Sequence, residues 1–192
     1  MSTLNKDTKL FFPSNQLLLD SLNYEKIPRK DFVVSKNHEG EAISFYGDLI
    51  WDFTVYHSDG KPSNLIFIFW DQGGLTHARK KLINEIKHIF FILIWLREKN
   101  PLSLGTLRNY LTIVRQVAKF AENKNCSLKD VIGNSLIFLE FVRSQSSGWF
   151  IETLSSLLIL LNASSYQKLA IKTVEPDLIR QLQKQNKQYR SS

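Results

Sequence analysis

Cysteine is almost absent from this chain, since Cys126 is the only one among 192 residues. A single thiol excludes an internal disulfide and any zinc site built from several cysteines, and it fits a reducing compartment. The four histidines, His38, His57, His77 and His88, have no metal-ligand spacing and no cysteine beside them. The sequence therefore predicts no metal site and no cofactor.

Long hydrophobic runs and targeting signals are also lacking. The longest unbroken apolar run, Ile89–Leu96 (IFFILIWL), is far shorter than the ~20 residues that span a bilayer. The chain opens with the polar residues MSTLNKDTK, without the apolar core of a signal peptide. We therefore expect a cytoplasmic protein with no membrane partner.

Short signatures of catalysis are missing as well. The chain contains no G-x-S-x-G, no G-x-G-x-x-G and no P-loop. Asp52 together with Asp59-Gly60-Lys61 resembles the D…D-x-K pattern of metal-dependent nucleases, in which carboxylates hold magnesium and a lysine positions a water. Because Asp59-Gly60 is also the strongest turn signal in the chain, a simple turn explains the same residues.

What the chain does carry is an uneven distribution of charge. The net charge is +7, and residues 1–75 contribute −3, with 7 Lys and Arg against 10 Asp and Glu. Residues 76–192 contribute +10. A basic half beside an acidic half indicates contact with a polyanion, such as a nucleic acid, that is confined to the second half.

The clearest periodic pattern lies in residues 103–124 (SLGTLRNYLTIVRQVAKFAENK), which predict an amphipathic helix. The apolar residues of one face are Leu107, Tyr110, Leu111, Val114, Val117, Ala118 and Ala121. The residues of the opposite face are Arg108, Thr112, Arg115 and Lys119. Ser103 or Thr106 can cap the helix. Its side of donors and cations suits a phosphate backbone, and a solvated surface helix is the alternative explanation.

Three cations, Arg79, Lys80 and Lys81, occupy the first turn of a second helix, predicted over residues 76–99. Positive charge at that end opposes the helix dipole. We therefore expect these side chains to serve an anionic partner rather than the stability of the helix.

The remaining segments complete a mainly α fold. Alternation of period two over residues 49–57 and an aromatic run over 65–70 predict a β-hairpin. Other predictions are a helix over 17–22, a strand over 32–34, a capped turn over 127–133, and helices over 135–143, 149–161 and 178–189. The predicted divisions are an N-terminal region with the hairpin (1–74), a helical domain (75–165) and a tail or linker helix (166–192).

The order of these elements resembles the core-binding domain of tyrosine recombinases, the phage integrase family. The matching residues are Ser103, Leu104, Thr106, Leu107, Arg108, Tyr110 and Phe120, followed by Leu154-Ser155-Ser156-Leu157. The segment Tyr46–Phe53 resembles the D-x-x-W-D strand ahead of that domain in some integrases encoded on mobile elements. The resemblance covers roughly residues 45–165.

The resemblance implies a helical, SAM-like bundle, preceded by a small α+β region, that forms half of a clamp around double-stranded DNA. Other recombinase protomers would join it when the complex assembles on DNA. In that family the second and fourth helices approach the major groove and nearby phosphates. The corresponding positions here are Thr106, Arg108, Asn109, Thr112, Arg115 and Lys119 in the helix over 103–124, and Thr153 and Ser156 in the helix over 149–161.

The catalytic half of that family is missing. It needs a tyrosine nucleophile, two arginines, a lysine and a His-x-x-Arg element, and none of the four histidines here has arginine three residues later. We expect these residues to form the N-terminal part of an integrase, as a fragment or a natural truncation, which binds DNA and is not itself an enzyme. Two alternatives are a helical protein-interaction or regulatory module and the hairpin nuclease.

Overall fold

The structure, a computed structural model, describes residues 27–57, 60–95, 101–145, 147–162 and 171–191. In these ranges the fold is mainly helical, with two small antiparallel β-ribbons before the helices, which confirms the mainly α prediction. The chain divides into two compact units. The first unit contains the described residues up to 71 and those from 87 to 108, and the second unit contains residues 72–86 and the described residues from 109 onward.

The strands of the described chain all belong to the first unit. They are β1 (Val33–Lys36), β2 (Ala42–Phe45), β3 (Ile50–Asp52) and β4 (Asn64–Ile66). β1 pairs with β2, and β3 pairs with β4, both antiparallel. Trp51 lies opposite Leu65 in the β3–β4 ribbon, and both side chains are fully buried. The next pair along the ribbon, Ile50 and Ile66, is exposed, as the alternation of side chains along a strand requires.

Six helices lie within the described ranges. They are α1 (His77–Trp95), α2 (Leu104–Asn123), α3 (Leu128–Gly133), α4 (Ser135–Arg143), α5 (Gly148–Leu161) and α6 (Pro176–Ser191). Their positions agree with the predicted helices to within a few residues. Side-chain caps explain where α3, α4 and α5 begin, because Ser127, Asn134 and Ser147 each accept hydrogen bonds from free N–H groups of the first turn.

The predicted hairpin is present, but its strands are shorter than the sequence pattern indicates. β3 ends at Asp52 because the Asp52 carboxylate accepts a hydrogen bond from the Thr54 N–H (2.8 Å). The chain then forms a 3-10 turn over Thr54–Tyr56 instead of continuing as a strand to residue 57. The strand predicted over 32–34 overlaps β1 (Val33–Lys36), and its partner β2 was not predicted. The helix predicted over 17–22 lies outside the described residues.

Aromatic rings form the core of the first unit. Trp51 packs edge-on against Phe67, with ring centroids 4.7 Å apart, and Phe67 in turn contacts Phe90 of α1 at 6.2 Å. Phe32 contacts Phe91 of α1 edge-on at 5.4 Å. These rings join the ribbons to the second half of α1, and a two-stranded ribbon needs such packing for its stability.

The core of the second unit is built from helices. Phe141 of α4 contacts both Phe120 of α2 and Phe150 of α5, with centroids 5.2 and 5.7 Å apart. The Val174 N–H donates to the carbonyl of Ile132 at the end of α3 (2.7 Å). None of the helices in the described part of the chain is long and apolar enough to cross a lipid bilayer.

Lys87 places a cation inside the core of the first unit. Only 2% of the residue is exposed, and its Nζ donates to the carbonyls of Tyr46 and Gly47, each at 3.0 Å. Burial lowers the pKa of Lys87 to about 8, against an opposing contribution from Asp48 that raises it. The ammonium therefore holds the loop between β2 and β3 against α1 at the cost of its own hydration.

This burial predicts a stability that depends on pH. Between pH of about 8 and 10.5, the unfolded state binds more protons than the folded state, because the pKa of Lys87 is lower in the folded protein. The free energy of unfolding should rise with pH across that window. From pH 7.5 to 10, the free energy of unfolding of wild type should rise by about 2 kcal/mol relative to that of Lys87→Met, which lacks the titrating group. Urea denaturation at each pH measures both values. For the exposed control Lys36→Met, the difference in free energy of unfolding from wild type should not change with pH. A difference that does not change with pH for Lys87→Met would contradict the lowered pKa of Lys87.

Candidate nucleic-acid interface

The start of α2 is fixed by its own side chains. The Thr106 N–H donates to Ser103 Oγ (3.1 Å), and the hydroxyls of Ser103 and Thr106 share a hydrogen bond of 2.9 Å. The predicted cap is therefore present, and Ser103 is the residue that supplies it. The Thr106 hydroxyl, a predicted DNA contact, takes part in this capping arrangement and is half-buried.

The predicted apolar side of α2 is buried along its whole length. Its members, none more than 6% exposed, are Leu107, Tyr110, Leu111, Val114, Val117, Ala118 and Ala121. Ile113 is buried with them. Burial of this side determines that the opposite side of the helix points away from the core.

We call the outward side of α2 its polar face. Its members are Arg108, Asn109, Thr112, Arg115, Gln116, Lys119 and Asn123. Arg115 and Lys119 are half-buried, whereas the other members are exposed. Arg108 donates to the carbonyl of Pro62 (2.7 Å), which orients its guanidinium. Burial lowers the pKa of Arg115. The pKa of an arginine lies so far above neutral pH that the guanidinium stays charged. The polar face therefore combines three cations with neutral donors and acceptors.

The polar face has no acidic residue among its members. Glu122 is the one acid in α2, and its carboxylate accepts from Arg79 Nε of α1 at 2.6 Å. Since Arg79 neutralises Glu122, no exposed carboxylate accompanies the polar face along α2. The pairing of Arg79 with Glu122 could not be predicted from sequence, because the two residues are far apart in the chain and share no periodic pattern.

The two predicted positions on α5 differ in exposure. Ser156 is exposed and shares a hydrogen bond of 3.1 Å with the hydroxyl of Tyr110 on α2, while Thr153, one turn away, is half-buried. This bond brings the two helices that the resemblance implies as DNA contacts side by side within the second unit. The partner of Ser156 could not be predicted from sequence, because Tyr110 lies 46 residues away in the chain.

The three cations at the start of α1 have different environments. Arg79 is held within the second unit, since its guanidinium pairs with Glu122 and also donates to the carbonyls of Gln72 and Gly74. Its side chain is only 15% exposed. Lys80 and Lys81 are exposed. Of the three, the lysines present their charge to solvent, and Arg79 stabilises the turn before α1.

The nuclease alternative depends on Asp52, Asp59 and Lys61. The Asp52 carboxylate accepts the Thr54 N–H described above, and Asp59 lies outside the described residues. Across the part of the chain that the structure describes, no group of His, Cys, Asp and Glu side chains is placed to hold a metal ion.

The environment of Arg79 predicts a structural rather than a binding role. Replacing it with methionine keeps the aliphatic stem but leaves the Glu122 carboxylate, 25% exposed, without this partner. We expect Arg79→Met to lower the free energy of unfolding by about 2 kcal/mol in urea denaturation. The neighbouring exposed variant Lys80→Met should change it by no more than about 0.5 kcal/mol. Equal effects of the two variants would contradict this role.

Comparison with known proteins gives no match: no protein-family model, no curated protein and no solved structure is similar to the chain.

Proposed function

We propose that this chain binds double-stranded DNA as the N-terminal, core-binding part of a tyrosine recombinase that integrates a mobile element. In this proposal the second unit has the SAM-like fold of that family. The observation that carries DNA binding is the polar face of α2, on which Arg108, Arg115 and Lys119 occur with no exposed carboxylate in the helix.

The partial burial of two of these cations supports a phosphate partner. Arg115 and Lys119 are half-buried, and burial lowers the pKa of Arg115. Partial burial of the aliphatic stems restrains where these two charges lie at the surface. Charge-assisted hydrogen bonds from arginine or lysine to phosphate oxygens are about twice as strong as hydrogen bonds between neutral groups.

The distribution of charge along the chain supports the same partner. Residues 76–192 carry a net charge of +10, whereas residues 1–75 carry −3. Positive charge concentrated in one part of a protein raises the association rate with a polyanion and orients the encounter. The exposed Lys80 and Lys81 at the start of α1 add to this field.

Salt dependence tests DNA binding directly. We expect duplex affinity to fall steeply with salt, with a log–log slope of about −0.9 per neutralised phosphate. The double variant Arg115→Gln, Lys119→Gln should bind more weakly and reduce the magnitude of that slope by about 2. Mobility-shift titrations of the full chain between 50 and 200 mM salt, roughly the range over which such effects are large, would measure both. Lys36→Gln, which removes an exposed cation from β1 in the first unit, is the matched control.

The alternatives predict different results. Absence of binding to any duplex at low salt would remove the proposal. Unchanged DNA affinity in the double variant would favour the protein-interaction module, and magnesium-dependent cleavage that Lys61→Ala abolishes would favour the nuclease. The recombinase part of the proposal has its own test, which is whether the reading frame beyond Ser192 encodes a His-x-x-Arg element and a later tyrosine.

A further inference from the structure

Amide side chains form a row along the polar face of α2. Asn109, Gln116 and Asn123 follow one another at intervals of seven residues, and all three are exposed. Seven residues make nearly two helical turns, so the positions drift by only about 20° per interval. The amides therefore lie along one line on the outward side of the helix.

This amide row runs beside the cations. Gln116 follows Arg115 directly in the chain, so it lies about 100° around the helix axis from it, at 3.6 residues per turn. The outward side of α2 thus has a row of cations, of which Arg115 and Lys119 are half-buried and Arg108 is exposed, beside a row of exposed amides.

Helix stability does not explain the amide of Asn109. Asparagine is among the weaker helix formers, and its side chain competes for backbone hydrogen bonds, yet Asn109 lies within the second turn of α2. An amide differs from a charged group in presenting a donor and an acceptor together. In the major groove, Asn and Gln use this pair to bind the N6 and N7 atoms of adenine, while cations bind the phosphates.

We propose that Asn109 and Gln116 determine sequence specificity by each binding an adenine in the major groove, at positions about three base pairs apart. This inference rests on the proposed DNA-binding function. Seven residues of helix rise about 10.5 Å, which matches about three base-pair steps of 3.4 Å. Recognition helices of known geometry contact bases from positions that span about seven residues. Asn123 lies a further seven residues along α2 and falls outside that span.

Selection from a randomised duplex library with the full chain tests this inference. Wild type should enrich sites with two adenines separated by about three base pairs. Asn109→Ala should lose the preference at one of these positions, and Gln116→Ala at the other, with discrimination against a base change falling about 5- to 100-fold. Both variants place a better helix former at an exposed position, so both should fold.

Two matched amides serve as controls. Asn123→Ala changes the amide of the same row beyond the expected reach, and Gln181→Ala changes an exposed amide of α6. Both should keep the wild-type motif. Affinity for duplex outside the motif should stay within about two-fold of wild type for all four variants, because amides contribute little to phosphate binding.

The outcomes separate this inference from the proposed function. If wild type binds duplex DNA with a steep salt dependence but enriches no motif, or enriches one without adenines, the readout by Asn109 and Gln116 is rejected and DNA binding stands. The readout is also rejected if either variant retains the full wild-type motif. If wild type binds no duplex at all, both proposals are rejected together.

Discussion

Burial of the apolar side of α2 is the constraint on which the candidate interface depends. Leu111, Val114 and Ala118 are each no more than 3% exposed, and burying a Leu or Val side chain contributes about 1.5–3 kcal/mol. Rotating the helix enough to bring Arg115 inward would forfeit several such contributions and bury a charge as well. The direction of the polar face is therefore set by hydrophobic packing, not by the polar residues themselves.

The structure distinguishes two kinds of positive charge. Lys87 and Arg79 are directed into their units, where backbone carbonyls accept their hydrogen bonds, and Arg79 also neutralises Glu122. Lys80, Lys81 and the cations of the polar face remain at the surface or half-buried near it. A count of basic residues cannot make this distinction. Whether a cation is bonded inside its unit depends on which carbonyls and carboxylates the fold brings within reach of it.

Local sequence patterns were sufficient to predict the boundaries of the helices but not those of the strands. The period of 3.6 located α2 almost to its ends, since the cap residue Ser103 and the apolar stripe are both local signals. The strand pattern over 49–57 continued past the true end of β3, because the hydrogen bond from the Thr54 N–H to Asp52 redirects the backbone. Alternating hydrophobicity indicates which side chains face the core, and it does not indicate where a strand ends. Phe53 is fully buried and so continues the alternation, although it lies outside β3.

By itself, the sequence determined the helical elements, the buried side of α2 and four members of its polar face, because all of these follow from spacing along the chain. These four are Arg108, Thr112, Arg115 and Lys119, whereas Gln116 and Asn123 were not predicted. Only the tertiary structure decided that Arg79 pairs with Glu122 and that Tyr110 bonds Ser156. It also decided that Arg115 and Lys119 are half-buried, whereas Arg108 and the amides of the polar face are exposed. These features depend on which distant segments pack against α2, and no local period encodes contacts between residues more than 40 positions apart.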